Sequence, residues 1–233
     1  MLAHLRPLLL AGLLLSLPPP LLAEPLAIQQ LTARESSAGL KEALTRGAEF
    51  AVTQLGQTDG FLGNPAVKIE LPKSLQKVES LARKLGYGPQ ADELVTTMNR
   101  AAEAAVVEAR PLLIKAIKNL TIADAHAILA GPPDAATQYF RRTTSAALSQ
   151  KFQPIVKQAT ARVELAERYR AFAGRAARYQ LIDAQDADLD SYITQKAMDG
   201  LYTLIAEQEQ QIRQDPLGSG SKLLKKVFSA IGR

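Results

Sequence analysis

Residues 134–163, DAATQYFRRTTSAALSQKFQPIVKQATARV, form the longest uninterrupted helical pattern in the chain, and their reading sets the fold class. Apolar or small residues recur at Ala136, Phe140, Thr143, Ala147, Phe152, Ile155, Ala159 and Val163. Steps of three to five keep one face of a helix turned toward a core. The other face reads Gln138, Arg141, Arg142, Ser145 and Gln150. Asp134 follows a Pro-Pro pair and is placed to cap the first turn with its carboxylate. Pro154 lacks a backbone donor and crowds the carbonyl four residues back, which predicts a kink or break near Gln153.

Upstream, residues 36–55 carry Leu40, Leu44, Ala48, Val52 and Leu55 on one face, with Ser36 or Ser37 at the start and Gly56 at the end. Residues 59–72, DGFLGNPAVKIELP, do not read as helix. Gly60, Gly63 and Asn64-Pro65 are turn signals, and Val67, Ile69 and Leu71 alternate with Lys68 and Glu70 as a short strand would. A lone strand has no partner in this sequence. It is read as an extended arm packed over the helices, in preference to an edge that pairs with a second copy of the chain.

Pro72 opens a helix ending at Gly86, and Pro89 opens another that runs to Arg110, the two forming an antiparallel pair. Leu94, Val95, Met98, Ala101, Ala102, Ala105 and Ala109 make the apolar stripe of the second. Asn99 sits beside that stripe, where a buried amide needs partners, and is read as hydrogen-bonded to a neighbouring helix. Pro111 begins or kinks the next helix, and Thr121 with Asp124 has the spacing of a capping box.

Downstream, residues 164–179 read as a further helix with an arginine-rich face. Asp186, Asp188 and Asp190 have the first spacings of a calcium loop. Ser191 and Ala197 replace its glycine and bidentate glutamate, so the stretch is read as a polar loop ending in an N-cap. Ile193, Ala197, Gly200, Leu201, Leu204, Ile205 and Ile212 then mark a long core helix ended by Asp215-Pro216. A Gly/Ser joint leads into KLLKKVFSAIGR, amphipathic and basic, with Lys222, Lys225 and Lys226 opposing Leu223, Leu224, Val227 and Phe228. The fold class is therefore all-α: a single multi-helix domain of about eight helices, one short extended arm and a C-terminal amphipathic helix.

The N-terminus reads as an export signal: Arg6, a leucine-rich run too short to span a bilayer, and a small-residue site that places cleavage after Ala23. Residues 1–23 are then signal, 24–35 a mature tail, 36–217 the helical domain and 218–233 the joint with its terminal helix. The chain has no cysteine, which excludes disulfides and lipid attachment at the cleavage site and leaves a free protein of the bacterial periplasm. Signal removal leaves 27 basic against 23 acidic residues, a formal charge of +4 that is dispersed rather than striped, so nucleic acid is not the expected partner.

No assembled catalytic set occurs. His126 is the one histidine of the mature chain, without the second ligand that a metal site or the third member that a triad needs. No metal or other cofactor is implied. The reading is a non-catalytic binding or protein-interaction module for a protein or small ligand, with Gln138, Tyr139, Arg141, Arg142 and Asn99 as candidate contact residues. Two alternatives stand beside it. One is peripheral contact with anionic membrane through Lys222, Lys225, Lys226 and Phe228; the other is a hydrolase or lyase working through Asp and Glu side chains.

Five strings carry a resemblance: FLGNPAVKIELP, ADELVTTMNRAAEAAV, DAATQYFRRTTSAAL, LDSYITQKAMDGLY and GSKLLKKVF, in that order. Together they resemble the family catalogued as domain of unknown function 4197, found in exported proteins of Gram-negative bacteria. The resemblance implies export and an all-helical fold, and it implies no activity, cofactor or catalytic residue.

Overall fold

The helical periodicity becomes six α-helices in a computed structural model that describes residues 33–73, 76, 83–84, 86, 88–163, 166–167 and 188–215; no strand occurs among them. They are α1 (Ala33–Leu55), α2 (Gly88–Val106), α3 (Ala109–Asn119), α4 (Ile122–Ala130), α5 (Ala135–Thr160) and α6 (Leu189–Gln214). Six of the helices lie among the described residues, and part of the expected eight falls outside them. The helix expected after Pro72 falls mostly outside those residues. So do the helix over 164–179 and the terminal segment with Lys222, Lys225, Lys226 and Phe228, as well as the expected signal.

α1 and α5 share the same four packing partners, α2, α3, α4 and α6, and α6 is the most extensive neighbour of α5. Alanine makes this close packing feasible. Ala51, Ala102, Ala105 and Ala109 are wholly buried, so helix backbones approach where larger side chains would hold them apart.

The opening stretch is helical as read, and Phe140 and Phe152 are core anchors. Its buried row, however, is Phe140, Thr144, Leu148, Phe152, Val156 and Thr160, a strict four-residue ladder. The expected stripe through Thr143, Ala147 and Ile155 lies one position away and is less buried. Hydrogen bonding favours Thr144 inside: its hydroxyl donates to the Phe140 carbonyl at 2.7 Å and lies 2.9 Å from the Tyr202 hydroxyl. Nor does α5 break at Pro154. The proline and Gln150, whose carbonyl loses its donor, are both exposed, so water takes the place of the missing bond.

Other ends also differ from the sequence reading. Ser36 and Ser37 lie inside α1 rather than at its cap. α2 stops at Val106, and Pro111 falls in the first turn of α3, where its missing N–H removes no helical hydrogen bond. The Thr121–Asp124 capping box is present at α4, and Asp188 caps α6 by accepting from the Asp190 and Ser191 amides.

Residues 59–72 form the packed arm, buried through Phe61, Val67, Ile69, Leu71 and Pro72. Its entry is tight. Gly60 lies so close to the Gln54 and Leu55 carbonyls that a Cβ there would stand 2.5 Å from each oxygen, and Asp59 holds a left-handed φ of 66°. Phe61 then packs closely on α6 at Gly200, where a Cβ would meet the ring at 2.6 Å and the Val67 Cβ at 3.3 Å. Gly200→Ala is therefore expected to lower stability by about 1–3 kcal/mol in a urea titration, despite alanine's better helix propensity. Adding Phe61→Leu is expected to make the two changes non-additive, because the shorter side chain relieves the overlap.

Candidate functional site

The arm is fastened from beneath by two polar side chains of α2. Asn99, with no exposed surface, accepts from the Ile69 amide at 2.8 Å and donates to the Ile69 carbonyl at 2.8 Å. Its amide group thus does for one residue what a neighbouring strand does, and a second donation reaches the Val95 carbonyl. The partner is the arm rather than the neighbouring helix expected from sequence. One turn on, a carboxylate oxygen of Glu103 accepts from the amides of Phe61 at 3.1 Å and Leu62 at 3.3 Å. Arg100 donates to the other Glu103 oxygen and to Asp59, each at 2.7 Å, and these bonds raise the arginine's pKa above its ordinary value. From α6, the Tyr192 hydroxyl donates to the Glu70 carbonyl at 3.0 Å.

Fastening leaves the outer side of the arm facing the start of α6 across an open cleft of about 900 Å³. Pro65, Lys68, Glu70 and Leu71 line the arm wall, with Lys73 and Gln76 beyond its end; Ser191, Tyr192, Gln195 and Lys196 line the helix wall. The volume is in the range of small-molecule sites. The Lys196 ammonium lies 5.6 Å from the centre of the Tyr192 ring. Nearby, Asp92 has its pKa lowered mainly by the hydrogen bond from Arg83, with a smaller contribution from the charge of Lys68.

The residues singled out in sequence lie elsewhere. Gln138 donates to the Asp134 carboxylate, whereas Tyr139 is buried and donates to the Ala116 carbonyl at 2.9 Å. Burial raises the Tyr139 pKa, the charge of Asp124 adds to the rise and that of Arg142 opposes it. Arg141 lies 4.5 Å over the Tyr202 ring and reaches Asp199 at 3.3 Å, and Arg142 lies over Tyr139. Arg141→Ala is expected to cost about 1 kcal/mol or less in thermal denaturation, since the ion pair is half exposed. Asn99 is occupied by the arm and does not join this group. His126 is exposed, and no cluster of three metal-ligating side chains occurs among the described residues.

Sequence reasoning missed Lys73, Tyr192, Gln195 and Lys196. The alternation of the arm sets Lys68 and Glu70 apart from its apolar residues, but nothing local brings α6 opposite them.

A helical bundle strapped by a buried arm, with an open basic cleft beside the strap, is the class of protein that these features define. The family described as Protein of unknown function (DUF4197) matches residues 30–229, and the chain belongs to that family. No curated protein and no solved structure matches the chain.

Proposed function

We propose that the chain is an exported, non-catalytic binding module of the periplasm that receives its ligand in the cleft between the arm and α6. The observation that carries this reading is the anchoring of one cleft wall. A segment without a strand partner is held by Asn99, Glu103 and Tyr192 at its backbone, so the cleft is formed in advance of binding. Polar and charged side chains make up most of its lining and offer groups for recognition.

The export pattern of residues 1–23 and the absence of cysteine support the compartment. The buried carboxylates described speak for structure rather than acid–base chemistry. Glu103 holds the arm, Asp190 accepts from Thr160 at 2.6 Å, and Glu209 accepts from the first turn of α5.

Osmotic-shock fractionation followed by native mass spectrometry tests both parts. The protein is expected in the soluble shock fraction with a bound small-molecule mass that disappears in Gln195→Trp, which fills the cleft from an exposed position. A cytoplasmic protein, an adduct unchanged in the variant, or no adduct in either form overturns the proposal.

A further inference from the structure

We infer that the cleft takes a ligand bearing at least two anionic groups, phosphate or carboxylate, which bridge Lys68 on the arm and Lys73 just past its end to Lys196 on α6. This rests on the proposed binding role and adds the chemistry of the ligand.

Hydrogen bonds already present eliminate most of the other polar groups. Gln76 donates to the Leu71 carbonyl, Ser191 to Asp188, Tyr192 to the Glu70 carbonyl and Gln195 to Asp199. The lysines remain. Among the described residues no carboxylate lies within ion-pair distance of Lys68, Lys73 or Lys196, and of the lining residues only Glu70 is acidic.

Their placement sets the valence of the ligand. Positive charge stands on both walls, with Lys68 on the arm, Lys73 just past its end and Lys196 on the helix, so a single small anion meets one wall while a ligand with two separated anions meets both. The start of α6 adds little, because Asp188 already accepts from its leading amides. Lysine acts as a point charge without the planar fork that fixes a carboxylate, so phosphate and carboxylate are both acceptable and multiplicity is the selective feature. Glu70, which lies on the same side of the cleft as Lys68, offsets part of the attraction for an anionic ligand, but the three lysines outnumber it.

Isothermal titration of the purified protein with pyrophosphate, citrate and inorganic phosphate tests this at low ionic strength. Binding of pyrophosphate or citrate, stronger than that of inorganic phosphate, is expected, and which of the two binds more tightly separates a phosphate source from a carboxylate one. Lys68→Gln and Lys196→Gln are each expected to weaken it about tenfold. A control variant on α5, Lys151→Gln, removes the same single charge from a residue that does not line the cleft and is expected to change it less than about twofold. Equal losses in the cleft and control variants indicate diffuse attraction and overturn the inference. If none of the probes binds while native mass spectrometry still shows an adduct sensitive to Gln195→Trp, the anionic class fails and the binding role stands. Absence of both defeats the two together.

Discussion

Asn99→Ala is expected to lower the unfolding free energy by about 3–5 kcal/mol, among the largest effects of any single change in this chain. The substitution removes the donor and acceptor that satisfy Ile69, and it leaves that residue's amide and carbonyl under a fully buried side chain with no water to replace them. A cavity beside Met98 and Ala102 on the same helix adds to the loss. Chemical denaturation gives the magnitude, and hydrogen exchange at the Ile69 amide gives the location. Asn99→Asp separates the two causes, because it preserves volume and the bond from the Ile69 amide while setting oxygen against the Ile69 and Val95 carbonyls. A loss within 1 kcal/mol of wild type for Asn99→Ala would show that Phe61, Ile69 and Leu71 hold the arm through apolar contact alone.

The arm shows where sequence is informative and where it is not. Its turns and its alternation are local, so Val67, Ile69 and Leu71 stand apart from Lys68 and Glu70 in the sequence, and all three are buried. The side chains that fasten it come from α2, some 30 to 42 positions along the chain, and from Tyr192 of α6, 122 positions on. Nothing near Asn99 or Glu103 in sequence indicates that a backbone segment, rather than a helix or water, will meet them. A polar residue beside an apolar stripe has the same appearance in either case.

A different obstacle arises on α5. Thr143 and Thr144, Ala147 and Leu148, and Ile155 and Val156 are neighbours of comparable polarity, so two stripes one residue apart satisfy the helical period about equally well. Tertiary contacts decide between them: Tyr202 on α6 offers its hydroxyl to Thr144. The cleft was the least legible feature of all. Lys196 and Gln195 lie on the polar side of a helix, where lysine and glutamine are ordinary, and their significance comes from the arm opposite.

Glu209→Ala is expected to cost about 3–5 kcal/mol as well, because it removes the cap of a helix that the sequence assigned to another residue. The Asp134 side chain caps no backbone amide at the start of α5; its carboxylate accepts from the Gln138 side chain at the surface. The orphan amides of Ala136 and Thr137 instead donate to Glu209 of α6, each at 2.9 Å, and the Thr137 hydroxyl donates to it at 2.9 Å. Arg213, one turn on, donates to Glu209 at 2.8 Å and to the Ile128 carbonyl near the end of α4 at 2.9 Å. The end of α6 therefore presents a negative group to the positive end of α5 and a positive group to the negative end of α4. Glu209→Ala strands two buried amides and deprives Arg213 of its partner, whereas Glu209→Gln keeps one acceptor and is expected to lose about half as much. Asp134→Ala is the decisive contrast, expected within about 0.5 kcal/mol of wild type because its bond is exposed. Urea titration ranks the three variants, and exchange rates of the Ala136 and Thr137 amides report the cap itself. If Asp134→Ala destabilises more than Glu209→Ala, or if those amides remain as protected in Glu209→Ala as in wild type, capping from α6 does not hold α5 in place.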